Sequence, residues 1–161
     1  MATKKIKLSL DGYSVDSAIK ALTQYEKKVR GLEKDLTRSL TEQGVSIAQQ
    51  NASYMDIYDS GELVNGIDSQ YEGDKGCIVS TAKHSAFCEF GTGVVGAGSP
   101  HPDLVPGWQY DVNEHGEAGW WYYNDEGERR WTKGMPSRPY MHDTAKMIEG
   151  IVEKTAKEIM K

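Results

Sequence analysis

Four histidines and two cysteines are the residues of this sequence best suited to chemistry, and they lie at scattered positions. The histidines are His84, His101, His115 and His142. His84 and Cys88 are one helical turn apart and could supply half of a zinc site. No second close pair of ligands follows them, so the sequence predicts no metal centre.

Two of these histidines lie near carboxylates, in a segment rich in glycine and aromatic residues. His101 is close to Asp103, and His115 lies between Asp111 and Glu117. A small hydrolase could use such a histidine as a general base beside an acid, and this remains one alternative. The chain lacks the sequence patterns of a nucleophile elbow, a P-loop and a dinucleotide-binding turn. We therefore predict no catalytic residue, no cofactor and no enzymatic activity.

The stretch from Gly119 to Gly127 reads GWWYYNDEG and suggests a binding function. It is similar to one choline-binding cell-wall repeat, in which aromatic rings surround a quaternary ammonium group. Such repeats act in tandem because one copy cannot bury its own apolar face, and this chain has a single copy. A module that binds cell wall or carbohydrate through the tryptophan-rich segment is the second alternative.

Composition indicates a single soluble domain that spans residues 1–161, with an aromatic insertion at about 94–134. The chain has 161 residues and a net charge of −5, with nine Lys/Arg against five Asp/Glu in residues 1–40. The remaining residues carry more acidic than basic side chains, so their net charge is negative. The two oppositely charged halves could therefore meet head to tail between copies. We expect no membrane span and no disulfide between Cys77 and Cys88. The acidic balance also predicts no specific nucleic-acid binding.

Hydrophobic periodicity predicts an α+β fold. Two long amphipathic helices, N-terminal and C-terminal, pack on a small antiparallel β-sheet that carries a Gly/Trp-rich hairpin insertion. A strand is predicted at 5–10, then a helix at about 15–52 that Ser14 or Asp16 caps and that bends or breaks at Gly31 and Gly44. The other predicted elements are a hairpin of 67–72 with 77–82, helical turns at 85–90 closed by Gly91, a hairpin of 120–123 with 129–132, and a helix from Pro139 to the C-terminus. The seam of the first helix is too long for the domain, so much of it should meet another helix or another subunit.

Three short segments carry a family likeness. Residues 59–67 read DSGELVNGI, residues 86–93 read AFCEFGTG, and residues 134–141 read GMPSRPYM. In this order, between two helices, they resemble the neck proteins of tailed bacteriophages, the head–tail joining or tail-completion proteins. The chain departs from the family pattern at Ser60, Val64, Gly66 and Tyr140, and Val64 replaces a basic residue.

The resemblance implies a structural protein of the virion, made and assembled in the cytoplasm of the bacterial host. It implies a homo-oligomeric ring of six copies between the head connector or adaptor and the tail terminator or tail tube. DNA would pass through the lumen, and an acidic lumen would let it slide without sticking. No catalysis is needed for this role.

We expect the motif residues to be architectural. Asp59 or Ser60 caps a short turn, Gly61 allows a tight bend, Phe90 anchors its turn in the core, and Glu89 forms an ion pair with Arg138. Leu63 and Ile67 should point inward. The motif set is completed by Gly91, Thr92 and Pro139, and the candidate interface residues in the insertion are Trp108, Trp120, Trp121, Tyr122 and Trp131. The interface residues are predicted to reach an adjacent ring or a neighbouring subunit.

Overall fold

A computed structural model describes residues 12–55, 61–103, 106–124 and 126–160. The chain combines a long N-terminal helix, a C-terminal helix and two antiparallel two-stranded sheets, so the predicted α+β class is confirmed. In chain order the elements are α1 (Gly12–Tyr54), α2 (Glu62–Asn65), β1 (Ile67–Glu72), β2 (Lys75–Ser80), α3 (Ser85–Phe90), α4 (Gly93–Gly98), a 3-10 turn (Gly116–Ala118), β3 (Trp120–Tyr123), β4 (Arg129–Thr132), β5 (Gly134–Met135) and α5 (Tyr140–Ile159).

Helix α1 runs unbroken through both glycines at which the sequence predicted a bend. A Cβ atom at Gly44 would collide with the side chains of Ile78 and Ile148. Gly44 therefore allows two elements to pack closely on the helix, instead of interrupting it. The helix already begins at Gly12, so Ser14 and Asp16 lie inside it and the predicted caps were wrong. The predicted strand at 5–10 lies outside the described residues.

Helix α5 packs antiparallel along the C-terminal half of α1. The Asn51 side-chain amide donates to the hydroxyl of Thr144, 3.0 Å away, while Ile148 lies beside Gly44. Between these helices and the first hairpin lies the main core, which consists of Ala48, Ala52, Leu63, Ile67, Ala82, Cys88 and Tyr140. The prediction that Leu63 and Ile67 point inward is confirmed.

Both predicted hairpins form. Strands β1 and β2 pair in register from Ile67 opposite Ser80 to Glu72 opposite Lys75, so their turn is only Gly73 and Asp74. The second strand thus begins two residues earlier than predicted. The other hairpin, β3 with β4, has the predicted bounds.

The glycine- and aromatic-rich insertion is folded onto the domain. Two isolated antiparallel β-bridges, Thr92 with Met135 and Gly93 with Gly134, hold the two ends of the insertion together. Helix α3 precedes this closure with the predicted bounds, and Gly91 ends it with φ of 79°. The insertion therefore returns to the point from which it leaves the core.

Candidate functional site

A buried carboxylate joins the second and third family-like segments. Both oxygens of Glu89, in α3, accept hydrogen bonds from the first turn of α5. The backbone N–H of Met141 lies 2.9 Å from Oε2, and that of His142 lies 3.0 Å from Oε1. These N–H groups have no partner within the helix, and the positive end of the helix dipole favours an anion there. Glu89 therefore caps a helix distant in sequence.

The predicted ion pair between Glu89 and Arg138 was wrong. Instead of the guanidinium group, the backbone of that segment binds the glutamate turn: the Arg138 N–H donates to the Cys88 carbonyl over 2.8 Å. The Ser137 hydroxyl donates to the Glu89 carbonyl over 2.6 Å. The link between the two segments is thus present, but the Glu89 carboxylate, backbone groups and a hydroxyl make it instead of an ion pair with Arg138.

A histidine from the insertion completes the environment of the carboxylate. His101 Nε2 lies 3.1 Å from Glu89 Oε1, and the two side chains are only 6% and 9% exposed. His101 Nδ1 lies 3.1 Å from both the backbone nitrogen and the carbonyl oxygen of Asp103, and Nε2 faces the carboxylate, which accepts the hydrogen bond. The rings of His101 and His142 meet edge to face with centroids 5.3 Å apart. The cluster therefore ties together α3, the insertion and α5.

The cluster is suited to holding segments together. His101 is enclosed, so a substrate could not reach its imidazole without displacing the surrounding residues, and this does not favour the hydrolase alternative. His115 is engaged with Asp111, whose oxygen lies 3.0 Å from Nδ1. Over the described parts of the chain, no three or more His, Cys, Asp and Glu side chains are grouped to hold a metal ion.

Sequence reasoning missed the partnership of Glu89, His101 and His142. The three residues are separated by 12 and 41 positions and share no local spacing that would point to a cluster. The one available signal was a glutamate in a helical turn that precedes a second helix without a side-chain N-cap of its own. That signal indicates that the helix needs a cap from elsewhere, but it does not identify the residue that supplies the cap.

Phe90 and Trp108 form a smaller aromatic cluster beside this site. The Phe90 ring is half-buried, with its centroid 5.0 Å from that of His101 and 5.0 Å from that of Trp108. The Trp108 indole N–H donates to the Gly91 carbonyl over 3.2 Å. Phe90 thus anchors the insertion, while Cys88 occupies the main core in the place predicted for Phe90.

The remaining motif residues shape the backbone where segments meet. The Met135 N–H donates to the Thr92 hydroxyl over 3.2 Å. Gly134 has φ of 101°, and a Cβ atom there would collide with the Thr92 carbonyl oxygen. Gly61, with φ of 77°, precedes α2 as predicted for a tight bend, and Pro139 stands directly before α5. Asp59 and Ser60 lie outside the described residues.

The β3–β4 hairpin presents an exposed aromatic face. Trp121 stands directly opposite Trp131, and Tyr123 stands opposite Arg129 two positions along, so these four side chains share one face. All four residues are exposed to solvent. We call them the aromatic face. Tyr123 was not among the predicted interface residues.

The other predicted interface residues do not belong to the aromatic face. Trp120 is half-buried and its ring lies 4.7 Å from that of His115. Trp108 packs against the Phe90 turn, and Tyr122 is exposed on the opposite side of the hairpin. The structure therefore brings together only Trp121 and Trp131 of the predicted set.

Cations of the chain itself lie over the tryptophan rings. The Arg129 guanidinium is 4.7 Å from the centroid of Trp121, and Lys133 Nζ is 5.9 Å from that of Trp131. On the other side of β4, Arg130 lies 2.6 Å from a Glu128 oxygen, and this contact lowers the pKa of that carboxyl. Lys133 Nζ also lies 3.2 Å from a Glu117 carboxylate oxygen, so carboxylates accompany two of the three cations at this hairpin.

Two further ionisable groups have altered pKa values. Burial raises the pKa of the Cys88 thiol, which is therefore protonated and poorly reactive at neutral pH. The pKa of Asp111 is lowered, first by the Gly116 N–H at 2.7 Å and further by hydrogen bonds from His115. Asp111 thereby fixes the turn that leads into β3.

Comparison with protein-family models, with curated proteins and with solved structures found no match to this chain. Within the described residues, none of the helices is both long and apolar enough to cross a membrane.

Proposed function

We propose that this protein is a structural component of a tailed-phage neck, which joins the head connector to the tail tube as a ring of six copies. The three family-like segments support the proposal because they build one folded centre. Leu63 of the first, Cys88 of the second and Tyr140 of the third share the main core. Their chemistry is packing and helix capping, as expected of motifs that maintain an architecture.

The single observation that carries the assembly role is the aromatic face. Tryptophan, tyrosine and arginine are the residues most enriched among the energetic centres of protein interfaces. A hairpin that exposes two Trp and one Tyr side by side is unusual for a surface that meets only water. We infer that the aromatic face, Trp121, Tyr123, Arg129 and Trp131, contacts the neighbouring neck component, either the connector or the tail terminator.

The proposed ring would enclose DNA without binding a particular sequence. The chain carries a net charge of −5, and a lumen with acidic lining repels phosphate groups. The aromatic face would then point toward a protein partner and away from the lumen.

The cell-wall or carbohydrate-binding alternative rests on the same residues. The exposed pair of Trp121 and Trp131 could form a flat platform for a sugar ring. A quaternary ammonium ligand is less suited to the site, because Arg129 and Lys133 already lie over the two tryptophan rings. Positive ligands would meet positive side chains there.

The deciding experiment uses the double variant Trp121→Ala/Trp131→Ala, with Tyr54→Ala as control because Tyr54 is a highly exposed aromatic residue on α1. Native mass spectrometry measures the mass of each protein alone and with the purified connector and tail-tube proteins. We expect the wild type and the control to form a ring-sized complex and the double variant to lose it. A wild type that ignores both partners but binds peptidoglycan fragments would support the alternative and refute the neck role.

A further inference from the structure

The N-terminal half of α1 carries an unbroken heptad pattern. With Val15 at position a, every a and d position from 15 to 36 is apolar or aromatic. These seven residues are Val15, Ala18, Leu22, Tyr25, Val29, Leu32 and Leu36, and we call them the α1 seam. Positions b, c and f over the same range contain only polar residues and one glycine. Three consecutive heptads of this kind are the pattern of a coiled-coil strand.

Four of the seven α1 seam residues are exposed, whereas Ala18 is buried and Leu32 and Leu36 are half-buried. Val15, Leu22, Tyr25 and Val29 are between 42% and 60% exposed. Leu22, Tyr25 and Val29, together with Ile19, line an open groove along the helix surface. Four large apolar side chains in one row form an exposed patch of the kind that marks a protein interaction site.

The rest of the helix is covered by the chain itself. From Lys34 onward, α1 meets the β1–β2 hairpin, where Lys34 Nζ lies 3.7 Å from an Asp74 carboxylate oxygen. Farther along, Ile78 and Ile148 pack over Gly44. At about 1.5 Å per residue, α1 is about 65 Å long and α5 about 30 Å. The α1 seam therefore extends past the end of its only long intramolecular partner among the described elements.

The length and pattern of the α1 seam specify its partner. A row of a and d side chains about 30 Å long is best buried by another helix with the same repeat. Among the described elements α1 alone has three consecutive heptads, and α5 already packs along α1. The counterpart that the chain offers is thus the same helix of another copy.

The flanking charges specify its direction. Lys28 is at a g position and Glu33 at the following e position. In a parallel pair in register, each g side chain faces the next e side chain of the partner, so Lys28 meets Glu33 twice by symmetry. An antiparallel pair sets e positions against e positions. The glutamates at e, Glu26 and Glu33, would then face glutamates of the partner helix and repel them. Valine at two of the four a positions also favours two strands.

We propose that residues 15–36 of α1 form a parallel two-stranded coiled coil with the same helix of a second copy of this chain. Such a pair has two-fold symmetry, whereas identical copies in a ring meet head to tail. The pairing surface is therefore distinct from the ring contact and from the aromatic face. It does not depend on the neck role.

Sedimentation equilibrium of the full chain, without other neck proteins, tests the proposal. We expect the wild type to be a dimer with concentration-dependent mass. Leu22→Glu should raise the dimer Kd at least about 100-fold, because it places two carboxylates in the seam. Gln24→Glu adds the same charge at a c position on the solvent side and should leave the Kd unchanged. Both substitutions are at exposed sites, so thermal melting of the monomer should not change.

Two further variants test direction and register. Lys28→Glu should weaken the dimer about tenfold, and the double variant Lys28→Glu/Glu33→Lys should restore it. In a Cys77→Ser background, Leu22→Cys should form an intermolecular disulfide on mild oxidation, because identical positions face each other only in a parallel pair.

Three outcomes would overturn the proposal. The first is a wild type that is monomeric at every concentration. The second is a dimer that Leu22→Glu leaves intact, since the contact would then lie elsewhere. The third is a dimer in which Leu22→Cys does not crosslink with itself but does crosslink with Leu32→Cys, because a positions face d positions in antiparallel helices.

Discussion

Removing the carboxylate of Glu89 should destabilise the fold more than removing any surface acid. The side chain is buried and accepts two N–H bonds from α5 and one from His101. Hydrogen bonds to charged groups contribute about 1.5–3 kcal/mol each, and an unpartnered buried donor adds a further cost. Glu89→Ala should therefore lower the free energy of unfolding by about 3–5 kcal/mol. For a domain of this size the melting temperature should fall by about 6–20 °C.

Glu89→Gln separates the charge from the shape of the side chain. The amide oxygen can still accept one N–H, but its NH₂ group would face a second donor, so a loss of about 2 kcal/mol is expected. Glu149→Gln is the matched control, because Glu149 is exposed on α5. Urea unfolding followed by circular dichroism gives both the free energy and its dependence on denaturant, and the latter should not change.

Arg138→Ala distinguishes this helix cap from the ion pair expected from the sequence. If backbone N–H groups hold the carboxylate, Arg138→Ala should cost much less than Glu89→Ala. A Glu89→Gln protein within about 0.5 kcal/mol of the wild type would refute the capping argument. Equal losses of unfolding free energy for Arg138→Ala and Glu89→Ala would instead support an ion pair between the two side chains.

Three other predictions follow from the same geometry. Ellman's reagent should modify exposed Cys77 rapidly and buried Cys88 only after unfolding, so Cys77→Ser should lack the fast phase. The lowered pKa of Asp111 means that its stabilising contribution is present above about pH 4, its unfolded value, and is lost as pH falls through the folded pKa. An acid titration followed by tryptophan fluorescence should show a flatter response for Asp111→Asn than for the wild type. Gly134→Ala should lose about 2 kcal/mol or more in urea unfolding, whereas Gly98→Ala, whose Cβ meets open space, should be nearly neutral.

Local patterns were sufficient for most elements of the fold. The apolar repeats of α1 and α5 and the alternation of the two hairpins lie within single segments, so their period specifies helix or strand without knowledge of the partner. The glycine at position 91 ends α3 for an equally local reason, its positive φ. Gly44 shows the limit of such patterns. A glycine inside a helix indicates either a break or a close contact, and only Ile78 and Ile148, which come from distant segments, decide between them.

The candidate site depended on tertiary structure. The sequence indicated that Glu89 would link the second segment to the third. Opposite charge favoured Arg138 as its partner, but in the fold the partners are backbone N–H groups at the start of α5. Every helix start has such groups, and no side-chain pattern records which carboxylate will reach them. The exposed face of the β3–β4 hairpin was likewise undecided, because alternation divides aromatic residues between two faces without saying which is covered. By itself the sequence determined the periodic elements and the α1 seam, while tertiary structure decided which groups meet, because such contacts depend on the relative placement of distant segments.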